Sequence, residues 1–283
     1  MIHSLSLQDF TAVAHLSSSL LMQHHPEGLM FSLDRPNVIV GPNGSGKSAL
    51  LTTLAIRFLA YFTGESCLDS HYLDCGTKSA SWWSEKARWL REYTFLEGLN
   101  CETDNALAIY YRPRHVPGNE ASSTHALMMG YAAEARTYQA ATDKRSCGEA
   151  NRARLEAALA VAQGTRALTL QQTNWNFGLE ARDLRASSHW VGDRDYKAEV
   201  LKTMFRTPGE RALVMFDEPE QSLDLLEATK FWRRIEAATG AQVLIASHSL
   251  YPLLHRERFN IIETVPGYVP TVLAHTGSQQ FTV

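Results

Sequence analysis

The chain of 283 residues has few cysteines, no long apolar run and almost no net charge. No apolar stretch approaches the length of about 20 residues that spans a bilayer, so we expect no membrane partner. The first residues lack a cationic segment followed by an apolar core, which argues against a signal peptide and for a cytoplasmic location. In that compartment the cysteines are expected to be reduced thiols. They are irregularly spaced: Cys67, Cys75, Cys101 and Cys147.

The formal net charge of −3 at pH 7 gives the chain no overall basic character. A contact with DNA or RNA would therefore depend on a local patch, and nucleic acid stays open as a partner. We find no internal repeat and no heptad series long enough for a coiled coil. Hydrophobic residues make up 45% of the chain, which is sufficient for one large α/β domain or two joined lobes.

A glycine-rich stretch, residues 41–46, lies between a β-branched run and an apolar segment with helical periodicity, residues 48–62. Strand, glycine loop and helix N-terminus form a phosphate-binding context, because backbone N–H groups and the helix dipole face the anion. We expect Lys47 to reach the β- and γ-phosphates of ATP and the Ser48 hydroxyl to bind Mg²⁺. The predicted phosphate-binding residues are Gly41, Pro42, Asn43, Gly44, Ser45, Gly46, Lys47 and Ser48.

The first 116 residues have strand and helix patterns on both sides of this glycine loop. Residues 1–40 predict strands joined by a polar connection, and we expect an N-terminal antiparallel side sheet. Residues 79–99 have the pattern of an amphipathic helix, and residues 106–111 that of a strand. From 117 to 210 alanine, arginine and short polar residues dominate, which predicts an inserted, mainly helical subdomain.

The remaining residues, 211–283, place polar side chains after two buried-strand patterns. The first pattern ends at Asp217 and Glu218, and the second leads to His248. The carboxyl ends of parallel strands meet at one edge of a sheet, so we expect these side chains to lie together. Asp217 is then a Mg²⁺ ligand, Glu218 a general base for an attacking water, and His248 a hydrogen-bond donor to the γ-phosphate.

Two further patterns are less distinctive. Residues 259–273 predict a short hairpin that finishes the sheet. Cys67, His71 and Cys75 would share one face of a helix, which is either part of a zinc site or a chance spacing, because structural zinc sites need four ligands.

The motifs GPNGSGKS, DEPEQSLD and SHS, in this order, resemble those of the ABC-type ATPase superfamily. They are most similar to its soluble SMC/RecF-like branch, some members of which are described as AAA-family ATP-binding proteins. The resemblance implies a P-loop NTPase fold with ATP and Mg²⁺ as cofactors. It implies that Lys47 is the phosphate lysine, and that Ser48 and Asp217 hold the metal. Glu218 matches the catalytic glutamate and His248 the switch histidine.

The resemblance also implies a homodimer whose subunits face each other head to tail. The signature motif of one subunit closes over the γ-phosphate bound to the other, and residues 222–224 match a loop that contacts the second subunit. Our candidate signature is Ser146 with Gly148 at a helix start, where hydroxyl, glycine N–H and helix dipole favour an anion. An ordinary helix N-cap is the alternative. The glutamine loop of the family is not identifiable, and Gln139 is a weak candidate.

Three functions follow as hypotheses. The first is an ATPase that dimerises on ATP and drives or gates a partner, in DNA maintenance or anti-phage defence. The second is a nucleotide-gated regulatory scaffold whose effector is a separate protein. The third, a transporter ATPase subunit, is disfavoured because the chain has no close match to the transporter signature.

Overall fold

The computed structural model describes residues 1–9, 14–58, 60–62, 98–113, 147–170 and 206–277. Several predictions concern residues outside these ranges: residues 79–97 of the helix predicted over 79–99, the candidate metal ligands Cys67, His71 and Cys75, and the motif residues Gln139 and Ser146. The last residue of that predicted helix, Leu99, is described and instead begins a strand. None of the helices within the ranges has the length and apolar character that crossing a bilayer requires.

The described ranges contain both strands and helices. The strands are β1 (Ile2–Leu7), β2 (Leu29–Met30), β3 (Asn37–Val40), β4 (Tyr61–Phe62), β5 (Leu99–Thr103), β6 (Ala108–Tyr111), β7 (Ala212–Asp217), β8 (Ala241–Ala246) and β9 (Asn260–Glu263). The α-helices are α1 (Ala14–Ser17), α2 (Leu20–His24), α3 (Lys47–Arg57), α4 (Cys147–Ala162), α5 (Leu225–Glu236), α6 (Tyr251–Leu254) and α7 (Tyr268–His275). Two 3₁₀ turns cover Pro219–Ser222 and Arg256–Arg258.

Six strands form a parallel sheet in the order β4-β6-β7-β8-β3-β9, to which β4 contributes only two residues. β7 pairs with β8 over its whole length, and β8 pairs with β3 on its other side. Every residue of β3, β6 and β8 is buried, as expected for parallel strands covered on both faces. The predicted α/β class with a mainly parallel sheet flanked by helices is therefore confirmed.

Two apolar cores cover the faces of this sheet. On one face, Leu50, Leu51 and Leu54 of α3 pack with buried residues of the central strands. On the other face α4 and α5 pack. Trp232 of α5 is 1% exposed and contacts Phe259 edge to face, with the ring centroids 5.6 Å apart. The central strands are thereby covered by apolar side chains on both faces.

A small antiparallel sheet, in the order β2-β1-β5, lies beside the main sheet. This confirms the predicted side sheet, although its third strand comes from residues 99–103. The polar connection predicted within residues 1–40 is wrong in part, because it contains α1 and α2. Ser19 caps α2 by accepting a hydrogen bond from the Met22 N–H at 3.3 Å.

Helix α3 is shorter than the predicted segment 48–62. It ends at Arg57, and the Ala60 N–H donates to the Ala55 carbonyl at 2.8 Å, which closes the helix end. Phe62, expected on the helix, instead lies in β4 and pairs with Tyr110 of β6.

The predicted terminal hairpin is wrong. β9 pairs in parallel with β3, and the following segment forms helix α7. Val269, Val272 and Leu273 of α7 pack against the core that contains α4 and α5, at the spacing of one helical face. Pro270 lies in the first turn of α7, where a missing N–H is tolerated.

Candidate active site

Three parallel strands deliver the predicted site residues to one edge of the sheet. The glycine loop, residues 41–46, follows β3 and leads into α3, which begins at Lys47. Glu218 follows β7, whose last residue is Asp217, and His248 lies two residues after β8. The strand order places β8 between β3 and β7, so the structure brings these residues together.

The conformation of the glycine loop depends on the absence of side chains at two positions. A Cβ added to Gly41 would lie 1.7 Å from Oγ1 of Thr264, and one added to Gly46 would lie 2.5 Å from Cβ of Ser19. The Leu21 N–H of α2 donates to the Ser45 carbonyl at 3.0 Å. The glycine loop thus packs against α2 and against Thr264, the residue after β9.

Lys47 folds back over the glycine loop. Its Nζ donates to the carbonyls of Gly41 and Pro42, both at 2.9 Å, and the residue is 4% exposed. Burial lowers the pKa of Lys47, while the negative charges of Glu218 and Asp217 act in the opposite direction. The ammonium group therefore binds two carbonyl oxygens and is also attracted by the carboxylates of Glu218 and Asp217.

Asp217 is the most buried of the acidic site residues, and both of its oxygens accept hydrogen bonds. Ser48 Oγ donates to Oδ1 at 2.8 Å, and Tyr110 OH donates to Oδ2 at 2.9 Å. Arg112 Nε lies 3.4 Å from Oδ2. Burial raises the pKa of Asp217, against the opposing effects of Arg112 and of the two hydrogen bonds. Burial and the charge of Asp217 also raise the pKa of Tyr110.

Glu218 and His248 face each other. Nε2 of His248 lies 3.4 Å from Oε1 of Glu218, and Gln221 donates to the other oxygen of the same carboxylate. Glu218 has a left-handed backbone, with φ of 50° and ψ of 53°, and its N–H donates to the Ala246 carbonyl at 2.9 Å. Such conformations are costly for residues other than glycine and concentrate at functional sites.

The candidate signature is described only in part. Ser146 lies outside the described residues, whereas Gly148 is in the first turn of α4. The helix expected to start here is confirmed as α4, and one face of it is buried: Leu155, Ala158, Leu159 and Ala162. This face packs on the side of the sheet that also carries α5.

The donors around Asp217 suit Mg²⁺. The ion prefers oxygen ligands and, in sites that bind phosphates, takes only one or two from the protein. Ser48 Oγ and the Asp217 carboxylate already lie 2.8 Å apart, so both oxygens could serve one ion. Within the described part of the chain, no cluster of three histidine, cysteine or acidic side chains forms a metal site of its own.

Three residues that the sequence analysis did not identify complete the site. Tyr110 and Arg112, at the end of β6, contact Asp217, and Glu220 accepts hydrogen bonds from the segment after β8. The available signal was a tyrosine near the end of a buried-strand pattern and an arginine directly after it. Their target is defined only by the pairing of β6 with β7.

Comparison of the chain with models of protein families, with curated proteins and with solved structures finds no match. The resemblance in the three motifs therefore stands on the residues themselves. Any function has to be argued from the geometry of Lys47, Ser48, Asp217, Glu218 and His248.

Proposed function

We propose that the chain is a P-loop nucleoside triphosphatase that binds ATP with Mg²⁺ and hydrolyses it. Within that class we propose an ABC-type ATPase similar to the soluble SMC/RecF-like branch. The observation that carries the proposal is the convergence of a lysine-bearing glycine loop, a serine–aspartate pair and a glutamate–histidine pair at one sheet edge.

The glycine loop and Lys47 bind the phosphates. In the ligand-free chain, Nζ of Lys47 occupies two carbonyls of its own loop. Phosphate oxygens are stronger acceptors for an ammonium group than neutral carbonyls, because they carry a full negative charge that attracts the cation. Lys47 can therefore exchange these carbonyls for phosphate oxygens without leaving the loop.

Ser48 and Asp217 hold the metal. Mg²⁺, when bound, neutralises charge on the phosphate oxygens. Both oxygens of Asp217 are already oriented, by Ser48 on one side and Tyr110 on the other. A carboxylate fixed in this way presents its charge to the ion without reorganisation.

Glu218 accepts a proton from the attacking water and orients it. Its carboxylate is supported by Gln221 and lies beside the imidazole of His248. His248 is 33% exposed in its side chain, so its ring has room to face the γ-phosphate. A general base in such a position accelerates hydrolysis by about 10² to 10⁴-fold.

A second copy of the chain would complete the site, with Ser146 and Gly148 as the signature that it contributes. Leu225 and Leu226 support a contact next to residues 222–224, because they are 86% and 63% exposed at the start of α5. Large apolar side chains clustered at the surface are typical of interaction sites. We infer that the ATP-driven dimer acts on a partner in DNA maintenance or anti-phage defence.

Lys47→Ala and Glu218→Gln test the proposal together. Lys47→Ala should weaken ATP binding by about 100-fold or more, because it removes the ammonium group that would bind the phosphate oxygens. Glu218→Gln should keep ATP binding, lower turnover by at least about 100-fold, and accumulate as an ATP-bound dimer. Fluorescent-nucleotide titration, phosphate release and light scattering measure these three quantities.

Lys230→Ala is the matched control, since Lys230 is exposed on α5. It should bind and hydrolyse ATP as the unaltered chain does. If Lys47→Ala binds ATP with unchanged affinity, the phosphate-binding role of the glycine loop is wrong. If Glu218→Gln hydrolyses ATP at the normal rate, the general base lies elsewhere.

A further inference from the structure

The turn after β7 contacts His248 through two different carboxylates. Glu218 Oε1 lies 3.4 Å from the imidazole Nε2, and Glu220 Oε1 accepts a hydrogen bond from the His248 backbone N–H at 2.7 Å. Glu220 Oε1 also accepts from Ser247 Oγ at 2.8 Å. Glu218 thus lies beside the ring of His248, and Glu220 binds its backbone N–H.

The segment that carries His248, residues 247–249, has no regular secondary structure. Its position depends on a short network around Ser247, which is fully buried. The Ser247 N–H donates to the Ile39 carbonyl of β3 at 3.2 Å, and the Ser249 N–H donates to Ser247 Oγ at 2.9 Å. Glu220 is the charged acceptor of this network.

We propose that Glu220 is a positioning residue that fixes His248 opposite Glu218. The proposal rests on the proposed function in one respect: the kinetic consequence requires His248 to act in ATP hydrolysis. The structural part stands by itself, because Ser247 Oγ and the backbone N–H of His248 share one charged acceptor, and both donors lose a charge-assisted hydrogen bond when it is removed. Glu218 is the N-cap of the 3₁₀ turn that contains Glu220, so one short segment positions both the proposed base and the residue that holds His248.

Two substitutions separate the reach of Glu220 from its charge. Glu220→Gln keeps an oxygen at the same distance, which can still accept from Ser247 and His248. Glu220→Asp keeps the charge, but it is one methylene shorter and withdraws the acceptor from both donors. Glu220→Ala removes the acceptor altogether, and Glu210→Ala, at an exposed position, is the control.

We expect kcat for ATP to fall about tenfold or more in Glu220→Ala and Glu220→Asp, and to stay within about threefold of normal in Glu220→Gln. KM should change less than about threefold in all of them, because Lys47 and Ser48 are untouched. Amide hydrogen exchange in the nucleotide-free chain gives an independent readout. The amides of residues 248 and 249 should exchange faster in the Ala and Asp variants only.

Unchanged exchange in Glu220→Ala and Glu220→Asp overturns the proposal, as does a Gln variant that loses as much kcat as Ala. Faster exchange without any loss of kcat also overturns it, since His248 would then need no positioning. A chain that hydrolyses no ATP at all refutes the proposed function, and the exchange pattern still decides whether Glu220 holds His248. If Glu220→Ala does not fold, the Asp and Gln pair carries the test.

Discussion

Gly46→Ala perturbs the point at which the glycine loop lies against the start of α2. Gly46 has a φ of +105°, and an added Cβ would lie 2.5 Å from Cβ and 2.7 Å from Oγ of Ser19. Ser19 cannot move freely, because it caps α2 and its Oγ also donates to the Leu16 carbonyl at 2.5 Å. The left-handed backbone costs an alanine about 1–2 kcal/mol. Overpacking adds about 1–3 kcal/mol, so we expect a total loss of about 2–5 kcal/mol.

Gly44→Ala is the matched control within the same loop. Gly44 has a φ of +72°, but nothing lies within 4 Å of an added Cβ. Only the cost of the left-handed backbone remains for an alanine here, and the free energy of unfolding should fall by about 1–2 kcal/mol. Urea denaturation of the two variants measures the difference, which is the cost of the contact with Ser19.

A third variant isolates that contact. Ser19→Gly removes both atoms that the new Cβ would meet, and a glycine N-cap costs only a few tenths of a kcal/mol. In the Ser19→Gly background, Gly46→Ala should therefore cost no more than Gly44→Ala does. If Gly46→Ala and Gly44→Ala destabilise the unaltered chain equally, or if Ser19→Gly gives no relief, the packing of the glycine loop against α2 is wrong.

Two further predictions concern single buried groups. Tyr110→Phe removes the donor to the Asp217 carboxylate and should lower the free energy of unfolding by about 1.5–3 kcal/mol. Tyr111→Phe breaks a neutral hydrogen bond to Ser222 Oγ and should lower it by only about 0.5–1.5 kcal/mol. Equal losses in urea denaturation would contradict this difference. Burial raises the pKa of the Cys101 thiol from 9.0 to about 11. At pH 8 Cys101, which is partly buried, should therefore react with iodoacetamide about 100-fold more slowly in the folded chain than in urea. Equal rates by peptide mass spectrometry would contradict the raised pKa.

The central strands could be predicted from the sequence because burial on both faces leaves a continuous apolar run. β7 and β8 follow this pattern, and polar residues mark where the strands end: Asp217 is the last residue of β7, and His248 lies two residues after β8. α5 is equally well marked, since Asp224 caps it by accepting from the Glu227 N–H at 2.8 Å. In these segments local signals and tertiary contacts agree.

The end of the chain could not be predicted in the same way. Residues 268–275 are rich in β-branched side chains, which favour a strand by propensity. The helix prevails because Val269, Val272 and Leu273 then reach one apolar core together, and packing outweighs propensity. The pairing of β1 with β5 was equally hidden, because the two strands are about 90 residues apart and no periodicity links them.

Contacts between distant segments are also what the sequence leaves undetermined in the candidate site. Lys47, Ser48 and Asp217 belong to local patterns, whereas Arg112 and Glu220 acquire their partners only from the order of β6, β7 and β8. Their contribution is electrostatic. The site holds carboxylates at three positions, 217, 218 and 220, against the two cations Lys47 and Arg112, so a polyphosphate would meet an excess of negative charge. A divalent cation at Ser48 and Asp217 reverses that balance, which is why the proposed nucleotide and its Mg²⁺ should bind as one unit.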